Sequence, residues 1–182
     1  LLLEGIFEAE ELDVAAHHRF STVVHSEPQL HMLESAHGLT GVDIFLKINT
    51  GMNRLGVPVG RFWSFYDRLR TCRSVGQVTL MTHFSTADEA VGVADQFGLF
   101  DALTLEISRP RSMANSAAIL RYPQTHADWV RPGIMLYGAT PFADQTATNI
   151  GLQPAMTLSS TIIAVQNVQP GQSVGYGHRF TA

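Results

Sequence analysis

The sequence is short of several things, and each shortage removes a class of chemistry. It has one cysteine, Cys72, so no intrachain disulfide can form and no zinc site built from several thiolates is available. It has one lysine, Lys47; the rest of its 12 basic residues are arginines. Any reaction that needs a side-chain amine, Schiff-base formation above all, therefore has a single candidate. Charged residues make up only 15% of the 182, with a formal net charge of -4. Basic residues gather no more densely than the scatter Arg68, Arg70, Arg73, so a phosphate-tracking nucleic-acid surface is not expected. No apolar run approaches the roughly 18 residues that cross a bilayer, and Leu1 to Leu3 is too short for a secretion signal. A cytoplasmic protein without nucleic-acid or membrane partners is expected. The chain opens on Leu rather than Met and stops at Phe180-Thr181-Ala182 without a polar tail, which suggests a piece of something longer.

What is present is an alternation. Short apolar runs of strand length recur at Leu1 to Leu3, Ser21 to Val24, Val42 to Ile48, Gln77 to Thr82, Ser112 to Ala114 and Gly133 to Tyr137. Between them lie helical spacings. Phe62, Phe65, Tyr66 and Leu69 form an i, i+3, i+4, i+7 stripe after Pro58; Leu30, Leu33 and His37 follow Ser26 and Pro28 and end at Gly38. A third helix is expected between Asp88 and Ile107, with Val93, Phe97 and Phe100 on one face.

Strand and helix in alternation predict an α/β fold with a parallel sheet, its strands buried on both faces. A closed eight-stranded barrel takes roughly 250 residues. Six strands before Pro141 are either a smaller open sheet or a partial (β/α)8 TIM barrel lacking two units. Beyond Pro141 the pattern becomes β-rich, with Met156 to Val165 and a turn at Gln169-Pro170-Gly171-Gln172 before Ser173-Val174-Gly175-Tyr176. The expected division is a barrel part over 1–141, a linker over 142–153 and the start of a β domain over 154–182.

Parallel α/β folds place their chemistry where strands end. Lys47 sits within such a strand, followed by Asn49-Thr50-Gly51-Met52-Asn53-Arg54; His83 follows the next, and Asn115-Ser116 opens a helix after the one beyond. A lysine among Ile44, Phe45, Leu46 and Ile48 must be paired, neutralised or modified. On residues alone it is the candidate catalytic amine. Asn115 and Ser116 suit a phosphate at a helix start, together with the amides of Gly133 and Ile134, but ordinary helix capping explains them as well. Arg131, ahead of the last strand, suits a surface ion pair equally.

Taken together, five strings resemble one family. They are Leu46-Lys47-Ile48-Asn49-Thr50-Gly51-Met52-Asn53-Arg54-Leu55-Gly56, Met81-Thr82-His83-Phe84, Ala114-Asn115-Ser116-Ala117-Ala118, Trp129-Val130-Arg131-Pro132-Gly133-Ile134-Met135-Leu136-Tyr137-Gly138 and Val174-Gly175-Tyr176-Gly177. In this order they resemble alanine racemase, a pyridoxal-phosphate enzyme of fold type III, over essentially the whole chain. The resemblance implies a βα barrel followed by a β domain, with this chain beginning at the third barrel strand. It implies a cytoplasmic homodimer interconverting L-alanine and D-alanine, the latter for peptidoglycan. The family's Schiff-base lysine would then lie upstream of this chain. Lys47 matches instead a lysine often carbamylated in the family, whose negative charge holds the nearby arginine.

By the same resemblance Arg54 binds the cofactor's phenolic oxygen and the substrate carboxylate. Arg131 faces the pyridine nitrogen, and His83 links Arg131 to the catalytic tyrosine. Asn115, Ser116, Gly133 and Ile134 serve the cofactor, the last three at its phosphate. Tyr176, donated by the partner subunit, is the second base that racemisation requires. The other readings are a related racemase or decarboxylase on the same cofactor barrel, and a non-catalytic fragment lacking the cofactor lysine. Metal binding is not expected, because His17, His18, His25, His31, His37, His126 and His178 form no i, i+4 helix-face pair. Cys72 reads as an inert packing residue, and Trp63 and Trp129 as core or barrel-rim residues.

Overall fold

The computed structural model describes all 182 residues. The chain begins with α1 (Glu11–His17) and runs through β1 (Thr22–Val24), α2 (Glu27–Ser35), β2 (Val42–Asn49) and β3 (Val57–Pro58). It continues through α3 (Phe62–Thr71), β4 (Val75–Met81), α4 (Ala94–Thr104), β5 (Arg111–Ser112) and α5 (Ser116–Arg121). The sheet is parallel throughout, in the order β1-β2-β4-β5, with β3 pairing the end of β2. It is an open sheet rather than a closed barrel. Four of the six expected strands form, as β1, β2, β4 and β5, and the two-residue β3 is an addition.

The longest strand shows why the sheet forms. In β2 every residue from Ile44 to Ile48 is buried, as a central strand covered on both faces requires. Ile44, Leu46 and Ile48 face the helices and join Phe62, Phe65, Leu69, Leu80 and Phe100 in the main core. Phe45 faces the other way, meeting Val23 and Met81 in a small separate cluster. The period of two therefore puts Lys47 on the inner face with Phe45, away from the helices. Asp43 is the exception in this strand. It is exposed where the β2–β4 register shifts, and it accepts the backbone N–H of Gln77 at 2.8 Å.

The stripe on α3 is confirmed: Phe62, Phe65, Tyr66 and Leu69 are its buried residues. Across from it, Arg68 holds Glu34 by a two-pronged pair, with Nε and Nη2 donating at 2.7 Å each, and also bonds Glu27, tying α3 to α2. The expected third helix is shorter than its spacing suggested. α4 starts at Ala94, after a turn whose Gly92 has φ +71°, a left-handed conformation that a helix cannot contain.

Three other expectations fail for physical reasons. Leu1 to Leu3 contributes a single bridge, Leu2 to Thr22, rather than a strand. Gly133 to Tyr137 is not a strand either: Ile134–Tyr137 forms an exposed 3₁₀ turn just after Pro132, which has no N–H for a ladder. The parallel contact there falls earlier, at Ser112 and Trp129. The strand expected in Met156 to Val165 does not form. Residues 153 to 182 are exposed throughout, and their only ladder is the antiparallel pair β6 (Ser173–Val174) and β7 (Phe180–Thr181). With no neighbour in this chain to bond its N–H and C=O groups, that run has no reason to be a strand. Phe142, within the expected linker, is buried in the main core under the guanidinium of Arg121, which lies 3.6 Å from the ring centre.

Trp63 and Trp129 are each 54% exposed, so neither is a core residue. Trp63 packs edge-on against Phe62 and Tyr66, and Trp129 lies 6.1 Å from Phe45 at the rim of the inner face. Half-buried Cys72 lies just past the end of α3, with its sulfur 3.2 Å from the Ser74 hydroxyl.

Candidate active site

The C-terminal ends of β2 and β4 open on one cleft of about 370 Å³, lined among others by Glu4, Lys47, Arg54, His83, Arg131 and Gly133. Four of the residues singled out in the sequence for charge or acid–base chemistry thus meet in one place. None of Lys47, Arg54 and Arg131 takes part in any of the ion pairs of the structure. Glu4 is the one carboxylate on the cleft wall.

Arg131 is the best-held side chain. Its Nη2 donates to the Thr82 carbonyl at 2.6 Å and the Met113 carbonyl at 3.1 Å, and it meets His83 Nδ1 at 3.2 Å; Nη1 donates to the Ser112 hydroxyl. Thus the ends of β4 and β5 anchor it, not the surface ion pair that its sequence position also allowed. Burial pushes the guanidinium down to about 10, which leaves it a cation at neutral pH. Because a guanidinium only donates, His83 Nδ1 must accept, and the proton of the neutral ring sits on Nε2. Burial, reinforced by the charges of Arg131, Lys47 and Arg54, pushes His83 down to about 4, so the ring is neutral at pH 7.

Lys47 is only 5% exposed. Burial holds its amine below the usual lysine value, and Arg54 and Arg131 push the same way, against a weaker pull from Glu4. Arg54 is carried by a loop built on Asn49. The Asn49 Oδ1 accepts the N–H groups of Gly51 (3.1 Å) and Asn53 (3.0 Å), and its Nδ2 donates to Asn53 Oδ1 at 2.9 Å. Asn53 has φ +56°, a region asparagine tolerates better than most residues.

A second cleft, sharing His83, Arg131 and Gly133 with the first, is lined also by Asn115, Ser116 and Ile134. Here the two readings of Asn115-Ser116 separate. Asn115 caps α5, its Oδ1 accepting from the Ala118 N–H at 3.0 Å while Nδ2 donates to the Phe84 carbonyl at 3.2 Å. Its side chain is committed to the fold. Ser116 instead accepts the Gly133 N–H at 2.8 Å, which brings two of the expected anion-binding positions together. Tyr176 lies outside both clefts and is fully exposed. No group of three or more His, Cys, Asp or Glu is arranged to hold a metal ion, and no helix is long and apolar enough to cross a membrane.

Two features of the site escaped the sequence. Ser112 had been read only as part of a strand, yet its hydroxyl accepts from Arg131 and donates to the Trp129 carbonyl at 3.1 Å. Glu4 follows the apolar run Leu1 to Leu3 with nothing in its neighbours to mark it. An alternating run gives a residue's face, not its distant partner.

Basic side chains outside any ion pair, set beside a neutral histidine at the strand ends of a parallel α/β sheet, make a cleft whose charge suits an anionic ligand. Residues 1–141 match the family described as alanine racemase, N-terminal domain, and the chain belongs to that family. It is 52% identical over 185 residues to the alanine racemase of Nitrosospira multiformis, and 55% identical over 188 residues to that of Nitrosomonas eutropha. In both cases the match takes in 100% of this chain but 52% of the relative, so the chain spans about half the length of the curated relatives it matches. Among solved structures it resembles the biosynthetic alanine racemase from Pseudomonas aeruginosa, with TM-score 0.94 and 40% identity over 100% of this chain and 51% of that one. The alanine racemase from Acinetobacter baumannii matches with TM-score 0.87 and 36% identity over 99% and 51%.

Proposed function

We propose that the full-length protein is a pyridoxal-phosphate-dependent racemase that interconverts L-alanine and D-alanine by two-base proton transfer. The observation that carries this reading is the Arg131–His83 bond in a cleft that also gathers Lys47 and Arg54 with no ion-paired carboxylate. Such a cleft fits a ligand with a phosphate and phenolic oxygen and a substrate with a carboxylate. Ser116, Gly133 and Ile134 would hold the phosphate, Arg54 the phenolic oxygen and the substrate carboxylate by charge-assisted bonds, and Arg131 the ring nitrogen. When bound, the cofactor supplies an electron-withdrawing ring that acidifies the α-proton of the amino acid.

The chain's own residues shape that chemistry. Arg131 can only donate, so it keeps the nitrogen it faces unprotonated and limits how much negative charge the ring draws from the substrate. That favours prompt reprotonation at the α-carbon over side reactions such as transamination. With Nδ1 engaged by Arg131, His83 offers its Nε2 proton outward, where it stabilises a phenolate. Tyr176 of a partner subunit is the phenol proposed to meet it, and would remove or return the α-proton on one face.

The lysine that serves the other face lies, on this reading, in the part of the full-length protein outside these residues. Lys47 is the only amine here, and it is proposed as a supporting residue. Its neutral form adds carbon dioxide to give a carbamate and a proton, replacing a cation with an anion beside Arg54. The protein is proposed to act in the cytoplasm as a homodimer, supplying D-alanine for peptidoglycan.

The test compares two proteins. The full-length enzyme with pyridoxal phosphate should racemise alanine, and Tyr176→Phe should depress α-proton exchange on one enantiomer far more than cofactor binding. The purified 182-residue chain should show no turnover. Racemisation by that chain alone, or a Tyr176→Phe enzyme with unchanged rates in both directions, would sink this mechanism.

A further inference from the structure

Behind the loops that carry Arg54 and His83 runs a buried polar chain. Gln96, near the start of α4, is 8% exposed, and both ends of its amide are satisfied. Its Oε1 accepts from the Ser85 backbone N–H at 2.8 Å and from the Ser85 hydroxyl at 3.0 Å. Its Nε2 donates to the His83 carbonyl at 3.2 Å and, more loosely, to Thr50 Oγ1 at 3.5 Å. Only this orientation of the amide works, because the Ser85 N–H can only donate and the His83 carbonyl can only accept.

The chain continues in one direction. Thr82 Oγ1 donates to the Ile48 carbonyl at 3.0 Å, and that commits its single proton. Thr50 Oγ1, 2.7 Å away, must therefore donate to Thr82 and accept from Gln96. Both threonines are buried, at 6% and 0% exposure. The result is a relay from the α4 amide through the two hydroxyls to the β2 backbone, every member of which is matched. It joins two separate loops. Thr50 opens the loop that carries Arg54, and the His83 carbonyl and Ser85 belong to the loop that carries the His83–Arg131 pair. The side chain of Gln96 also lies directly beneath Gly51, where an added Cβ would stand 3.5 Å from Gln96 Cγ.

We infer that Gln96 is a positioning residue that sets the spacing between Arg54 and the His83–Arg131 pair, acting through Thr50 and Thr82. It touches none of the proposed ligands, and the inference rests on the functional reading of those three site residues. Glutamate could not replace it, since a carboxylate oxygen would face the His83 carbonyl. Methionine would fill the space and make none of the bonds.

The experiment uses the full-length enzyme loaded with pyridoxal phosphate. Thr50→Val keeps the shape and cuts the relay in its middle, Thr50→Ser restores the hydroxyl, and Gln96→Met removes the amide. Displacing a binding group by a fraction of an ångström to an ångström costs about 10- to 100-fold in rate. Thr50→Val and Gln96→Met should therefore raise KM for alanine and lower kcat/KM by about that much, with Thr50→Ser returning close to wild type. Hydrogen exchange supplies the second readout. Residues 49–56 and 82–86 should exchange faster together in Thr50→Val, with β1 and α3 unchanged. Should Gln96→Met not fold, the threonine pair decides alone. Wild-type kcat and KM in Thr50→Val would overturn the inference, as would exchange accelerated across the whole sheet with no rescue by Thr50→Ser. If the wild-type enzyme itself fails to racemise alanine, the functional reading is at fault, and the exchange data still decide whether the two loops are coupled.

Discussion

His83 should stay neutral down to about pH 4, and its titration is the sharpest measure of how the cleft is charged. Burial is the main cause, and Arg131, Lys47 and Arg54 add to it, because a protonated imidazole would sit among three cations. The folded value lies below the unfolded one of 6.5, so the unfolded chain binds the extra proton between about pH 6.5 and 4. Stability from this residue is complete above that range and is lost as pH falls through it. The shift corresponds to at most about 3 to 4 kcal/mol, and the part-exposed ring lowers that to about 2 kcal/mol. Carboxylates titrate in the same region, so the measurement is a difference: urea unfolding of the cofactor-free protein at pH 7 and pH 4.5, with and without His83→Gln. Glutamine keeps an acceptor for Arg131 and cannot titrate. The substituted protein should lose about 2 kcal/mol less on acidification. Nitrogen-15 NMR should show Nδ1 unprotonated at pH 7. A His83 titrating near 6.5, or a proton on Nδ1, would refute the geometry from which the polarity of the Arg131–His83 bond was drawn.

Two further substitutions test the support around the site and the core behind it. Ser112→Ala should cost about 1–3 kcal/mol, by leaving a donor of the buried Arg131 guanidinium without its hydroxyl, and should weaken cofactor binding in an absorbance titration; unchanged affinity and stability would show that the carbonyls of Thr82 and Met113 suffice. Phe62→Ala should cost about 3–5 kcal/mol in urea unfolding, since Phe62 is fully buried and stacks on Tyr66 with ring centres 5.7 Å apart; a loss below about 1 kcal/mol would mean that α3 collapses into the space.

How much of this was legible in advance differs from element to element. The α3 stripe was readable because i, i+3, i+4 spacing and burial on one face are the same statement for a helix packed on a sheet. β2 was readable because a central parallel strand must be apolar on both sides, and that same rule made Lys47 conspicuous. Gly133 to Tyr137 misled because an apolar run after Pro132 looks alike whether it enters a ladder or turns away from one. Met156 to Val165 has the composition of a strand, but a strand is a property of two segments, and within this chain the second is missing. Asn115 and Ser116 stand side by side at one helix start, and no local rule could say that the first would cap and the second would turn to Gly133.

The sequence by itself determined the alternating α/β character, the α3 face, the single amine at Lys47 and, through its five motifs, the family. Those follow from periodicity, composition and residue order, which are written along the chain. The tertiary structure alone decided that the face Lys47 shares with Phe45 is the one turned away from the helices, that Arg131 is held by Ser112 and the ends of β4 and β5, and that His83 accepts rather than donates at Nδ1. It also decided that Gln96, Thr50 and Thr82 form one buried relay. Each of these depends on which donor meets which acceptor across tens of residues of chain, and that pairing is set by the packing of the sheet, not by any neighbourhood in the sequence.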